Sequence, residues 1–125
     1  MQYKFIALVI AGACGTLLRY GCAAFVQRSM GSEFPWGTLM VNIFGCFLAG
    51  FLWTIIRSKW DISGEVRIAV FIGFLGAFTT FSTYMLETGT MLRSSQWMWA
   101  AGHIAGNNIG GFLSLMAGMA LGAVL

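Results

Sequence analysis

Apolar positions run almost without interruption through four stretches of the chain, Phe5 to Val26, Trp36 to Ile56, Ile68 to Leu92 and Trp97 to Leu125. Each is near or above the ~20 residues that carry a helix across a hydrocarbon core. Polar positions collect between them, around Met30, Lys59 and Ser95, in connections so short that neighbouring helices must run antiparallel. The pattern predicts an all-α membrane protein with a single four-helix transmembrane domain over residues 1–125. Pro35 stands directly before the second stretch, where a helix start tolerates it. Trp36, Trp60, Trp97 and Trp99 fall at the ends of stretches, at the depth where indoles anchor a helix to the headgroups.

One place violates the pattern. Thr79-Thr80-Phe81-Ser82-Thr83 puts four hydroxyl residues in the middle of the third stretch, directly after Gly73 and Gly76. An unsatisfied polar group costs several kcal/mol in a bilayer core, so irregular polar backbone persists there only when buried in protein or lining a watery path. The glycines lower the cost of interrupting a helix, and the run predicts a break in the third span. A break frees carbonyls at the end of its first half, which attract a cation, and N–H groups at the start of its second, which attract an anion. Phe81 and Tyr84 then share a face; their ring edges either line a path for an anion or simply fill the core.

Other isolated polar residues bear on the same span. Thr38 and Asn42 lie four apart on one face of the second helix, with Gly45 a turn further on. Asn42 sits roughly 9 Å of helix rise below Trp36, where an amide is either interhelical glue or a pore-lining donor. Arg19 can snorkel toward the interface, to anchor its helix or to seat an anion in a vestibule. Glu87 calls for a partner in another helix. His103, one turn before Asn107, either faces a pore or makes a structural hydrogen bond, and Asn107 and the adjacent Asn108 cannot both meet one partner. Small residues recur at every fourth position along the fourth helix, from Gly102 through Gly106, Gly110, Ser114 and Gly118 to Gly122, a ridge for close helix packing.

Composition and charge narrow the functional classes. With 58% hydrophobic and 9% charged residues in 125 and a mean hydropathy of +0.81, the chain has no soluble part large enough for an active site. It holds no nucleophile with a base, no phosphate loop and no paired carboxylates, so an enzyme is not expected. Cys14, Cys22 and Cys46 lack metal or redox spacing and read as small hydrophobes. Four short helices make a poor solitary pore, which predicts a dimer. The charge carries no signature of a nucleic-acid partner; it bears on orientation instead. Lys4, Arg57, Lys59 and Arg67 lie at one membrane face and Arg28 and Arg93, with Arg19 leaning that way, at the other. So even a division gives insertion no preferred direction, and the chain is expected to insert both ways up and pair as an antiparallel dual-topology homodimer.

Three motifs occur in order: Gly12-x-x-Gly15-x-x-x-Arg19-Tyr20; Pro35-Trp36-Gly37-Thr38-Leu39-x-Val41-Asn42; and Gly73 through Thr83 with Glu87 following. This series resembles the Fluc (CrcB) family of fluoride channels across the first three helices. The resemblance implies passive, fluoride-selective export across the bacterial inner membrane through two narrow pores, protecting the cell from the ion. It implies that Asn42 donates to fluoride, that Phe81 belongs to an aromatic box, and that Thr79, Thr80, Ser82 and Thr83 lie near a polar track. It further implies a structural sodium ion at the dimer interface, on the carbonyls of Gly76 and Thr79. The chain departs from the family in carrying Tyr84 where phenylalanine is common, and His103 and Asn107 where tyrosine and serine are frequent. The competing class is a small dual-topology multidrug antiporter, which needs a titratable carboxylate in its first helix; Phe5 to Val26 has none. For the orientation reading, single cysteines placed in one loop should be labelled from both sides of intact cells; reaction from one side alone refutes dual insertion.

Overall fold

Backbone polar groups find no partner in hydrocarbon, so a spanning chain satisfies them within its own segment. The computed structural model does so with helix over nearly all of residues 2–125, the part of the chain it describes. α1 (Gln2–Met30) and α2 (Trp36–Ser58) are uninterrupted rods. The third span is assembled from pieces: α3 (Gly64–Ile68), a π-helical segment (Ala69–Leu75), the single turn α4 (Gly76–Phe78) and, after two extended residues, α5 (Phe81–Arg93). The fourth runs through α6 (Trp97–Ala105), a second π-helical segment (Gly106–Gly110) and α7 (Gly111–Val124). No strand occurs among the described residues. Four stretches, Tyr3–Met30, Trp36–Ser58, Gly64–Arg93 and Trp97–Val124, are long and apolar enough to cross a membrane. The chain is therefore an all-helical, multi-pass membrane protein.

The helices outrun the apolar stretches at several ends because hydropathy marks only the hydrocarbon slab, while helix continues into the headgroups. α1 passes Val26 and ends at Gly31, whose φ of +99° is the left-handed stop that glycine supplies. Gln27, on the last turns of α1, then staples the loop to the next helix. Its Nε2 donates to the carbonyls of Gly31 (2.6 Å) and Phe34 (2.9 Å), and its Oε1 accepts from the N–H of Gly37 (3.1 Å). Pro35 offers α2 no side-chain cap; Gln27 supplies that cap from the neighbouring helix.

Small residues set the packing. The ridge on the fourth span lies against α2, where Gly106 receives Leu39, Gly110 receives Ile43, and Gly118 and Gly122 meet the carbonyls of Phe47 and Phe51. Gly50 of α2 returns the contact, seating the Leu115 carbonyl, and the Ser114 hydroxyl donates to the Ile43 carbonyl at 2.9 Å. This is the most extensive helix contact in the molecule. α1 packs on the first π segment through Gly15, which lies against the Phe74 carbonyl, while Gly73 lies against Ala11. Gly73 is thus a close-approach residue rather than the point of fracture; the break falls beyond both glycines, at Thr79 and Thr80. One end of the bundle is plugged by buried Phe34, whose ring meets Trp36 (4.6 Å), Trp99 (5.5 Å) and His103 (5.3 Å). Trp36 therefore does more than anchor: it packs against the cluster of Phe34, Leu39, Met91 and Ala100.

Gly118→Val drives a side chain into the Phe47 backbone and should lower stability by about 2 kcal/mol, within the usual range for overpacking. At Gly89, inside α5, an added methyl meets nothing, so Gly89→Ala should not destabilise and should raise the thermal unfolding midpoint in detergent slightly, by the helix preference of alanine over glycine.

Candidate functional site

The break in the third span is specific in its geometry. Thr79 closes the preceding turn twice over, its N–H and its hydroxyl both donating to the Leu75 carbonyl at 3.0 and 2.9 Å. That pins its methyl group against Gly45 of α2, where no larger residue fits. Thr79 (φ −91°, ψ 159°) and Thr80 (φ −147°, ψ 111°) are then extended. A continuous helix would send the Thr80 N–H to the Gly76 carbonyl. Here it goes to Asn42 Oδ1 at 2.8 Å, and Asn42 Nδ2 donates back to the Thr80 carbonyl at 3.1 Å. One side-chain amide thus pairs with both main-chain groups of Thr80, as a neighbouring strand would.

Helix resumes at once because Thr80 caps it. Its Oγ1 accepts from the Thr83 N–H at 3.3 Å and donates to Thr83 Oγ1 at 2.9 Å. The N–H groups of Phe81 and Ser82 open α5 and carry the positive end of its dipole. On the other side of the break, the carbonyls of Gly76 and Thr79 lose their helical donors, since Thr80 N–H and Thr83 N–H bond elsewhere. Main-chain oxygens without donors are the ligands a hard cation takes, so these residues fit the cation expected at this place. Gly76 is exposed on the single chain.

Behind Asn42 the polar residues scattered through the sequence join up. Asn42 Nδ2 also donates to Asn107 Oδ1 at 2.8 Å. Asn107 Nδ2 reaches His103 Nδ1 at 3.1 Å and the His103 carbonyl at 2.9 Å. His103, which has no exposed surface, meets Glu87 Oε2 through Nε2 at 3.1 Å. Thr38 donates its hydroxyl to Glu87 Oε1 at 2.7 Å. Glu87 thus has the partners its position demanded, one on α2 and one on the fourth span. The π segment Gly106–Gly110 widens the helix at the adjacent asparagines, a distortion common at functional sites. Asn107 turns toward Asn42, whereas Asn108 donates to the Tyr84 hydroxyl at 3.0 Å. That hydroxyl, the departure from phenylalanine, accepts the Asn108 N–H and keeps its own proton available.

Two cavities flank the break. The first, of about 220 Å³, is lined by Asn42, Cys46, Thr79, Thr80, Phe81, Tyr84, Asn107 and Asn108. The second, of about 430 Å³, holds Arg19, Gln27, Thr38, Thr80, Thr83 and Glu87 among its walls. Thr80 is the residue common to both. Phe81 and Tyr84 do share a face, with ring centres 5.6 Å apart, but Tyr84 is buried and Phe81 is 72% exposed. Ser82 is exposed and lines neither cavity. Cys46 is a wall residue beyond the small hydrophobe its sequence suggests; its place one turn after Asn42 puts it on the same helix face. Gln27 carries no such signal, because a polar residue near a helix end does not show in sequence what it will cap.

The sequence matches a model of the family described as CrcB-like protein, Camphor Resistance (CrcB), over residues 6–119. Among curated relatives, proteins named fluoride-specific ion channel FluC are 53% identical in Desulforapulum autotrophicum, 42% in Nitrosococcus oceani and 43% in Solidesulfovibrio magneticus. Each of these alignments covers 100% of both chains. With a match through all four spans and full-length relatives above two-fifths identity, the chain belongs to the CrcB family.

Proposed function

We propose that the chain is a fluoride-selective channel that lets the ion leave the bacterial cell passively through the inner membrane. The observation that carries this reading is the break at Thr79 and Thr80, bridged by Asn42 and bounded by a cavity on either side. Fluoride is a small, strongly hydrated anion and needs close N–H and O–H donors to replace its water. Asn42 Nδ2 is such a donor, held at the break with its two protons on the Thr80 carbonyl and Asn107 Oδ1. An entering fluoride would substitute for one of those neutral acceptors without leaving a buried donor unpaired. The edge of the Phe81 ring, the start of α5 and the hydroxyls of Thr80 and Thr83 add weak positive potential without the grip of a fixed charge, which suits rapid release. Arg19, in the wall of the wider cavity, would draw anions toward the entrance.

The functional unit in this reading is an antiparallel dual-topology homodimer. The near-even division of basic residues between the membrane faces supports it, as do the exposed Phe81 and Gly76 at the break. A second, oppositely inserted copy would bring its own Gly76 and Thr79 carbonyls to the same axis. Together these residues would hold a structural sodium ion, which when bound would neutralise the carbonyl ends of both broken helices.

In liposomes loaded with fluoride, the purified protein should release the ion to a fluoride electrode while chloride and a cationic dye stay inside. Dye exchange without fluoride release would favour the antiporter class instead. Asn42→Asp keeps an acceptor for the Thr80 N–H but sets a carboxylate against the Thr80 carbonyl and in the ion's path, so release should fall to background. Gly45→Val displaces the Thr79 methyl and with it the break, and should slow release at least about tenfold, the equivalent of some 1.4 kcal/mol in a barrier.

A further inference from the structure

The hydrogen bonds that run from the break to Glu87 have a direction, set at the break by the backbone and carried from amide to amide. Thr80 presents an N–H and a carbonyl side by side, so the Asn42 amide fits in one orientation only, Oδ1 to the N–H and Nδ2 to the carbonyl. Asn42 Nδ2 then has a second proton to place, and Asn107 must answer with Oδ1. That turns Asn107 Nδ2 toward His103, with one proton for the His103 carbonyl at 2.9 Å and the other for ring Nδ1 at 3.1 Å, which accepts it when bare. The ring's one remaining proton sits on Nε2, and its acceptor is the Glu87 carboxylate. The second carboxylate oxygen takes the Thr38 hydroxyl. Donors therefore point one way, from the Thr80 N–H to an acceptor-only terminus, across three spans.

We propose that His103 is a positioning residue, and that its neutral Nε2–H form, held by Glu87, sets the orientation of the Asn42 amide through Asn107. Were the ring to carry its proton on Nδ1, a donor would face the Asn107 amide donor, and Asn107 would have to turn. Asn42 Nδ2 would then lose its acceptor, and the clamp on Thr80 would loosen without any change at Asn42 or Thr80. The surroundings leave His103 few other options. Its ring is enclosed by Phe34 at 5.3 Å and Tyr84 at 5.1 Å, and the charged group facing it is Glu87. Tyr84 meets the ring through its aromatic face and edge, with its hydroxyl turned to Asn108. The residues concerned, His103 and Asn107, are two of the three at which the chain departs from the pattern it otherwise resembles, and they meet directly, the amide nitrogen against the ring nitrogen at 3.1 Å.

The inference rests on the channel reading for its consequence but not for its test. His103 is the sole histidine of the sequence, so protein ring-labelled with 15N and purified through a tag without histidine gives a single pair of ring signals in lipid nanodiscs. At neutral pH those signals should report a bare Nδ1 and a protonated Nε2, and Glu87→Leu should return the ring to a mixture of tautomers. An Nδ1–H tautomer or a doubly protonated ring in the wild type overturns the proposal. Positioning is read at a distance, at the Thr80 amide. His103→Phe should speed hydrogen exchange there and slow fluoride release, each about tenfold, the scale of one lost buried hydrogen-bond partner. His103→Gln, which offers an N–H toward Glu87 and an oxygen toward Asn107, should recover most of both. Unchanged Thr80 exchange in His103→Phe overturns the positioning role even if release falls. Should the wild type pass no fluoride at all, the channel reading fails while the ring signals and the Thr80 exchange still decide the relay.

Discussion

The structure turns on one exchange of partners: a main-chain N–H and carbonyl in mid-span that bond to the Asn42 side chain instead of to their own helix. In a bilayer core the alternative to a helical bond is normally an orphaned polar group costing several kcal/mol. Asn42 removes that cost for Thr80 with both of its functional atoms. It can do so because Gly45, one turn along, lets Thr79 come close, and because the glycine contacts between α2 and α7 hold α2 in place. The break is therefore not a weak point tolerated by the fold. It is held from outside, by residues on two other spans.

Once the break exists, its electrostatics follow from backbone chemistry. Carbonyls accumulate on one side of Thr79 and amide protons on the other, within a few residues of each other. The break thus offers a negative and a positive end at the same depth, without any buried side-chain charge. The His103 ring and the Glu87 carboxylate meet at 3.1 Å, set behind the site rather than in it. A fixed cation beside the path would bind a small anion too firmly to release it. Donors shared with neutral acceptors bind it loosely.

The polar residues behind the break behave as one unit. Glu87 accepts and never donates while ionised, so it fixes the sense of the hydrogen bonds at one end, as the Thr80 backbone does at the other. Between two such fixed ends, each amide and ring has a single satisfied arrangement. A half-buried network held at both ends rigidifies what it touches. Here it touches the residue that holds the broken helix.

By itself the sequence determined the four spans, the short antiparallel connections and the place where polarity interrupts the third helix, because hydropathy and hydroxyl content are local properties that neighbours along the chain suffice to express. It also marked Thr38, Asn42, Glu87, His103 and Asn107 as polar residues in need of partners, and the glycine ridge as a packing surface. The tertiary structure alone decided which partners they took. Asn42 meets Thr80 and Asn107 across sequence separations of 38 and 65, and nothing local distinguishes an amide that bridges a broken backbone from one that links two helices. The same holds for Gly73, which allows close approach of α1 rather than the fracture itself, and for Gln27, which caps a helix that is not its own. Such roles are set by how helices lean on one another, a property of the assembled bundle rather than of any one of its segments.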